Sequence, residues 1–193
     1  MANSRNQRSL LSVDAALDRI LASLSPTLPT RLLLTDALGQ ILAENIHAKL
    51  TLPPHDVSAM DGFAVRADDV ADCPTKLTCI GESAAGHPWA GRVEAGQAVR
   101  IFTGGYVPDG ADTIIIQENV DATNDADHKM ITVREGEAKG RYIRPAGLDI
   151  TAGALALGKG TLLSARCIGL AIAAGATSAV VSKPARIGIL STG

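Results

Sequence analysis

Three short stretches carry the residue types needed to handle a polar or anionic ligand. The first is Pro53-Pro54-His55-Asp56-Val57-Ser58-Ala59-Met60-Asp61-Gly62-Phe63-Ala64. It places the oxygens of Asp56, Ser58 and Asp61 close together in the chain, and Gly62 permits a tight turn. Such oxygens can hold a hard cation such as Mg²⁺ or accept hydrogen bonds from a ligand. The same spacing also serves an Asx-turn leading into a strand at 63–65. The second stretch, Arg100 to Asp112, is a β-prone run that opens into Thr103-Gly104-Gly105. Adjacent glycines let backbone N–H groups approach an anion, and Thr103 adds a hydroxyl donor. No Gly-Lys-Ser/Thr follows, so this is not a Walker loop, and a plain Gly-Gly hairpin stays open as the alternative. The third stretch, Gly140 to Asp149, combines Arg141 and Arg144 with a later carboxylate. Guanidinium groups suit bidentate contacts to phosphate or other oxyanions. The alternative is a solvated linker with Arg144 and Asp149 paired at the surface.

The remaining reactive side chains offer less. Cys73, Cys79 and Cys167 form no CxxC pattern and read as three reduced thiols. His47, His55, His87 and His128 lack zinc-ligand spacing. Trp89, the chain's one tryptophan, reads as an exposed loop aromatic or a packing anchor, and Met60 as packing.

The elements that must position these stretches come from a chain of 193 residues with 46% hydrophobic and 20% charged content. That is the profile of a folded chain rather than a disordered one. Aromatics are only 3%, so the core must be built from Leu, Ile, Val and Ala, and stacking on aromatic platforms is not expected to bind nucleic acid. The net charge of −2 leaves no basic stripe for nucleic acid either. No apolar run is long enough to span a membrane, and residues 1–8 are polar, without a signal-peptide core, reading as a frayed tail. The expected location is cytoplasmic.

Residues 12–24 predict an amphipathic helix with Ser12 as its cap and Val13, Leu17, Ile20, Leu21 and Leu24 on one side. A strand follows at 31–34. Thr35 is a candidate cap for a second short helix through 43, with Leu38, Ile41 and Leu42 buried. From residue 51 the chain becomes rich in Gly, Pro and Asp, with short strand candidates at 63–65, 77–80, 98–102, 113–117 and 130–133. This texture predicts a β-rich, barrel-like unit, with a polar hairpin tip at 121–127. Helical texture returns after 149. Ser164 can cap a helix to 174 with Cys167, Leu170, Ala171 and Ala174 on its apolar side, and Gly175 suits its end. A strand at 179–181 follows. Ile187-Gly188-Ile189-Leu190 has the look of the first buried strand of a parallel α/β unit, with a simple C-terminal edge strand as the alternative.

In this order the motifs PPHDVSAMDGFAV, RIFTGGYVPDGADTIIIQE, IRPAGLDI with TAGALALGKGTLL, and ARIGILSTG resemble the molybdopterin molybdotransferase family, which includes the C-terminal domain of gephyrin. The resemblance covers the chain from about Ser9 to Gly193. It implies an α/β (α+β) fold with an elongated domain split into 9–50 and 149–183. A β-rich domain is inserted at 51–148, and a third α/β domain begins at 184–193. In family members Ser-Thr-Gly is continued by Asp-Glu, so the third domain and a fourth, small β domain would lie beyond Gly193.

The resemblance also implies an activity: insertion of molybdate into adenylylated molybdopterin with release of AMP and help from a divalent cation such as Mg²⁺. Carried over position by position, Asp61 becomes the acidic residue that organises metal or substrate. Thr103, with Gly104 and Ser58 beside it, becomes a substrate contact. Arg144 becomes a substrate-binding residue and Asp149 a catalytic one, at a cleft shared between the subunits of a homodimer. A molybdopterin adenylyltransferase is the expected upstream partner. The chain departs from the family at Leu148, where many members are acidic, at Gly105-Tyr106 for Ala-Pro, and at Phe63 for Tyr. The 193 residues alone are expected to be inactive. The competing expectation is a non-catalytic dimerisation or ligand-binding module.

Overall fold

The computed structural model describes residues 11–125 and 128–191. The expected tail at 1–8 lies outside them. The first helix, α1 (Val13–Ala22), begins as the sequence predicts, with the Ser12 hydroxyl accepting from Ala15 N at 3.2 Å and Asp14 in the first turn. Its apolar side is present but uncovered, with Val13, Leu17, Ile20 and Leu21 each more than half exposed.

Sequence-distant segments close the first body of the molecule. Strand β1 (Pro29–Leu33) pairs antiparallel with β12 (Ser178–Ser182), and β2 (Ile46–His47) with β11 (Leu155–Leu157). Helix α2 (Ala165–Ala173) is capped by Ser164, whose Oγ accepts from Cys167 N at 3.3 Å. Gly175, at φ 85°, supplies the left-handed residue that ends it. Leu34, Leu42, Ile46, Leu163, Ala171 and Val181 share one aliphatic core, so residues before 50 and after 150 bury each other.

Between them lies a six-stranded, barrel-like sheet in the order β7-β4-β6-β5-β9-β8. Its strands are β4 (Gly62–Val65), β5 (Thr75–Ser83), β6 (Gln97–Ile101), β7 (Thr113–Ile116), β8 (Val120–Asp125) and β9 (His128–Val133). Two further short strands, β3 (Val57–Ser58) and β10 (Ile143–Arg144), pair with each other. Strand β4 is central and buried along its whole length. Its pleat sends Phe63 and Val65 into one cluster with Leu77, Ile115 and Ile131, and Ala64 into another with Ile101 and Ile114. Buried on both sides, β4 reads as a continuous apolar run rather than an alternating one.

Gly62 admits this packing. A Cβ there would sit 2.0 Å from the Ile115 carbonyl oxygen of the paired strand β7. Gly62→Ala is therefore expected to destabilise the chain by about 1–3 kcal/mol, as overpacking does. Urea unfolding followed by circular dichroism measures this, and an unchanged midpoint would show that β7 gives way without loss.

The structure departs from the sequence expectations in four places. Residues 35–43 do not form a helix. A 3₁₀ turn at Leu34–Asp36 is followed by Gly39 at φ 76°, and Ile41 and Leu42 bridge to Leu162 and Val181 instead. Leu42 is buried, but Leu38 and Ile41 are exposed. On α2, Ala171 and Ala174 are buried while Leu170 stays 41% exposed. The expected hairpin tip is mostly strand, with β8 and β9 in register to Asp125↔His128, and only 126–127 fall outside the described residues. Finally, 187–190 is no strand: Ile187, Ile189 and Leu190 are exposed and have no ladder partner among the described residues. An apolar run becomes a parallel strand only where a neighbouring strand supplies the ladder.

Candidate functional site

Strand β3 is the hub that joins the three chemistry-bearing stretches. On one edge, Ser58 N donates to Gly105 O and Gly104 N donates to Ser58 O, each at 2.9 Å. On the other edge, β3 pairs with β10 in the register Ile143↔Ser58 and Arg144↔Val57, and Ala59 N donates to Tyr142 O at 2.8 Å. The acidic turn thus lies between the glycine loop and the Arg/Asp bend. Tyr142 holds its carbonyl toward Ala59 from φ 57°, a left-handed conformation that non-glycine residues seldom adopt.

Ser58 is buried, donating its hydroxyl to Met60 O at 2.6 Å and accepting from Met60 N at 3.3 Å. It shapes the turn that carries Asp61 and reaches a ligand only through that turn. Asp61 Oδ1 accepts two hydrogen bonds from Thr103, from the backbone N–H and from the hydroxyl, each at 2.7 Å. The amide bond, then the hydroxyl bond, hold the Asp61 carboxyl below its ordinary range, with Arg100 adding a smaller favourable field. Oδ2 carries no hydrogen bond from the described residues, so one oxygen is fixed and the other is open.

Gly104, at φ 80°, lets the loop turn without a side chain in the way. Its amide is engaged with Ser58, and that of Gly105 with Phe102 O at 2.8 Å. Gly104 therefore offers close backbone approach rather than a free donor. The glycine at 105 has its own reason: a Cβ there would meet Ser83 O at 2.7 Å.

At the bend, Arg144 Nη2 donates to both Asp149 oxygens, at 2.7 and 2.9 Å. Both side chains are about half exposed, so the pair holds geometry more than stability. Arg144 Nε and Nη1 make no hydrogen bond to the described residues. Asp56 fastens the bend to the acidic turn, its Oδ1 accepting from Ala146 N at 2.8 Å, and Gly147 N donates to Pro53 O at 2.9 Å. No hydrogen bond links Arg144 or Asp149 directly to Asp61 or Thr103 among the described residues.

Arg100 is a contributor that motif reading left without a role. Its guanidinium lies 5.0 Å from the Phe63 ring centre and 4.9 Å from that of Phe102, within cation–π range of both. It also donates to Gly62 O at 3.3 Å and to Gln117 Oε1 at 2.7 Å. Part of the signal was legible: Arg100 and Phe102 are two apart within the strand candidate at 98–102, and Phe63 and Phe102 are the only phenylalanines in the chain.

Asp61 is the expected metal contact, and no group of three His, Cys, Asp or Glu side chains suited to a metal occurs among the described residues. A single open carboxylate oxygen still fits Mg²⁺, which commonly takes one or two carboxylates and completes its shell with water and substrate phosphates. No helix among the described residues is long and apolar enough to cross a membrane.

Residues 11–175 match the family described as the MoeA N-terminal region, domains I and II. The molybdopterin molybdenumtransferase of Haemophilus influenzae is 35% identical over 185 residues, covering 95% of this chain and 45% of that protein. Its counterpart from Nostoc sp. is 35% identical over 161 residues, covering 81% of this chain and 36% of that one. The crystal structure of the molybdopterin biosynthesis moeA protein from Pyrococcus horikoshii OT3 superposes with a TM-score of 0.83 at 32% identity, covering 90% of this chain and 46% of that one. The chain thus spans a little under half the length of these relatives.

Proposed function

The chain belongs to the MoeA N-terminal family, and from that premise we propose that it serves molybdenum cofactor biosynthesis, forming one wall of a site that inserts molybdate into adenylylated molybdopterin and releases AMP. The observation that carries this reading is the Thr103–Asp61 pair, an ionised carboxylate with one oxygen fixed and one open. It sits on the turn that β3 and Asp56 tie to the Arg144 bend.

The task is to hold two anions together and to let a phosphoanhydride break. Thr103 fixes the orientation of Asp61, so Oδ2 is presented in a set direction without reorganisation during reaction. A divalent cation such as Mg²⁺, held by Asp61 together with substrate oxygens, would neutralise charge on the breaking anhydride. Asp149 holds Arg144 through Nη2, which leaves Nε and Nη1 for phosphate or molybdate oxygens. Gly104 allows the substrate close to the backbone beside Thr103.

The body formed by 9–50 with 149–183 and the inserted β-rich unit at 51–148 are the two domains of this reading. Residues from 184 open the unit that completes the site. Activity is proposed for the whole assembly, a cytoplasmic homodimer that receives its substrate from a molybdopterin adenylyltransferase. The uncovered apolar side of α1 supports association with a second copy.

A chimera tests the proposal. The corresponding region of the Haemophilus influenzae molybdopterin molybdenumtransferase is replaced by this chain, and AMP release is followed with adenylylated molybdopterin, molybdate and Mg²⁺. The chimera is expected to release AMP and the 193-residue chain alone to give background only. A folded, dimeric chimera without activity would favour a non-catalytic module.

A further inference from the structure

A cavity of about 360 Å³ lies on the loops that lead into and out of the candidate site, yet holds none of Ser58, Asp61, Thr103, Gly104, Arg144 or Asp149. Its wall includes His55, Trp89, Arg92, Tyr106 and Asp109. The volume falls at the small end of ligand pockets, enough for a ring system rather than a large cofactor.

Aromatic side chains are scarce in this protein, at 3% of residues, and its cores are mainly aliphatic, with Phe63 in one cluster and Tyr142 packed against another. The chain's one tryptophan nevertheless borders this cavity, beside a His55–Tyr106 pair whose ring centres are 4.6 Å apart. None of these three residues belongs to a buried hydrophobic cluster. The indole is seated deliberately. A Cβ on Gly81 would meet its Nε1 at 2.3 Å, and a Cβ on Gly91 would meet its Cη2 at 2.3 Å. Two bare backbones thus accept the ring while it remains on the cavity wall.

The polar groups beside it are available. Asp109 makes no side-chain hydrogen bond to the described residues. Among the described residues Arg92 pairs only with Glu94, at 3.6 Å, with both side chains about two-thirds exposed. A ring platform flanked by a free acceptor and a loosely held donor suits a flat heterocycle that carries N–H groups on one edge and an oxygen or anionic group on another.

We infer that this cavity is a binding subsite for a planar, N–H-bearing heteroaromatic ring, the chemistry shared by purines and pterins. The ring stacks against Trp89 and Tyr106, donates to Asp109 and accepts from Arg92. The inference stands apart from the reading of Asp61.

The single indole N–H gives one resolved signal in a ¹H–¹⁵N spectrum of the full chain. Titration with AMP and, separately, with the pterin neopterin is expected to shift that signal saturably in at least one arm, and which arm responds identifies the ring. Ribose 5-phosphate, which lacks a ring, is expected to leave it in place. Asp109→Asn is expected to weaken binding about tenfold without unfolding a surface loop, whereas Asp18→Asn, on α1 and outside the cavity lining, leaves it unchanged. The inference is overturned if neither ring shifts the signal at millimolar concentration, if ribose 5-phosphate shifts it equally, or if Asp109→Asn binds as the unchanged chain does.

Discussion

Asp61→Asn, placed in the active chimera, lowers the rate of AMP release by on the order of 100-fold, the size of effect seen when one preorganised charge-stabilising contact is removed. The substitution keeps an oxygen for Thr103 but removes the charge that the open Oδ2 offers. Thr103→Val is expected to act more mildly, by about tenfold. It deletes the hydroxyl bond and leaves the backbone N–H bond, which is the larger cause of the lowered Asp61 pKa. The pH dependence follows from the same order. The folded-state value lies below the ordinary 3.8, so ionised Asp61 favours the folded chain above that pH, and the contribution fades as pH falls through the lowered value. Asp61 therefore adds no acidic limb to the rate profile between pH 5 and 8, and Thr103→Val moves any such limb upward without bringing it into that window. Single-turnover measurements across pH settle both points. Release by Asp61→Asn within about threefold of the unchanged chimera would place this carboxylate outside the chemistry.

How much of this was legible follows from which interactions are local. The Ser12 and Ser164 caps, the Gly175 stop and the apolar runs of β4, β6 and β7 depend on neighbours in the chain, and the structure has them close to where the sequence puts them. The failures depend on partners far away in sequence. Residues 35–43 carry apolar spacing that fits a helix, but Gly39 and the bridges from Ile41 and Leu42 to Leu162 and Val181 win. Strand β8 was hidden because its polar residues read as a turn, and only the register with β9 makes them a strand. At the site, the three motifs named the right loops but not their wiring. Spacing alone cannot show that Ser58 turns inward, that the Gly104 amide is engaged, or that Asp56 is the clasp for the Arg144 bend. Of the two rings at Arg100, Phe102 was within reach of strand periodicity, two residues away, whereas Phe63 stands opposite it only through the β4–β6 register.

Arg144→Gln in the same chimera is expected to raise the KM for the adenylylated substrate by about 10–100-fold, the scale of a lost charge-assisted contact to an anion, with a smaller fall in kcat. Arg144→Lys recovers only part of this, because an ammonium cannot engage Asp149 and an oxyanion in the same fixed plane. Asp149→Asn separates two roles. If Asp149 only steers Arg144, the double variant Arg144→Gln/Asp149→Asn is no worse than Arg144→Gln alone, which is the coupling expected of two groups 2.7 Å apart. If Asp149 also acts on the substrate, the double variant loses more. Stability discriminates further: with both side chains about half exposed, breaking the pair shifts unfolding by under about 1 kcal/mol, so a large kinetic effect cannot be a folding effect. A solvated surface pair joining two parts of the chain predicts the reverse, with KM and kcat unmoved in every variant. That outcome would reduce the proposed wall to the Thr103–Asp61 contact alone.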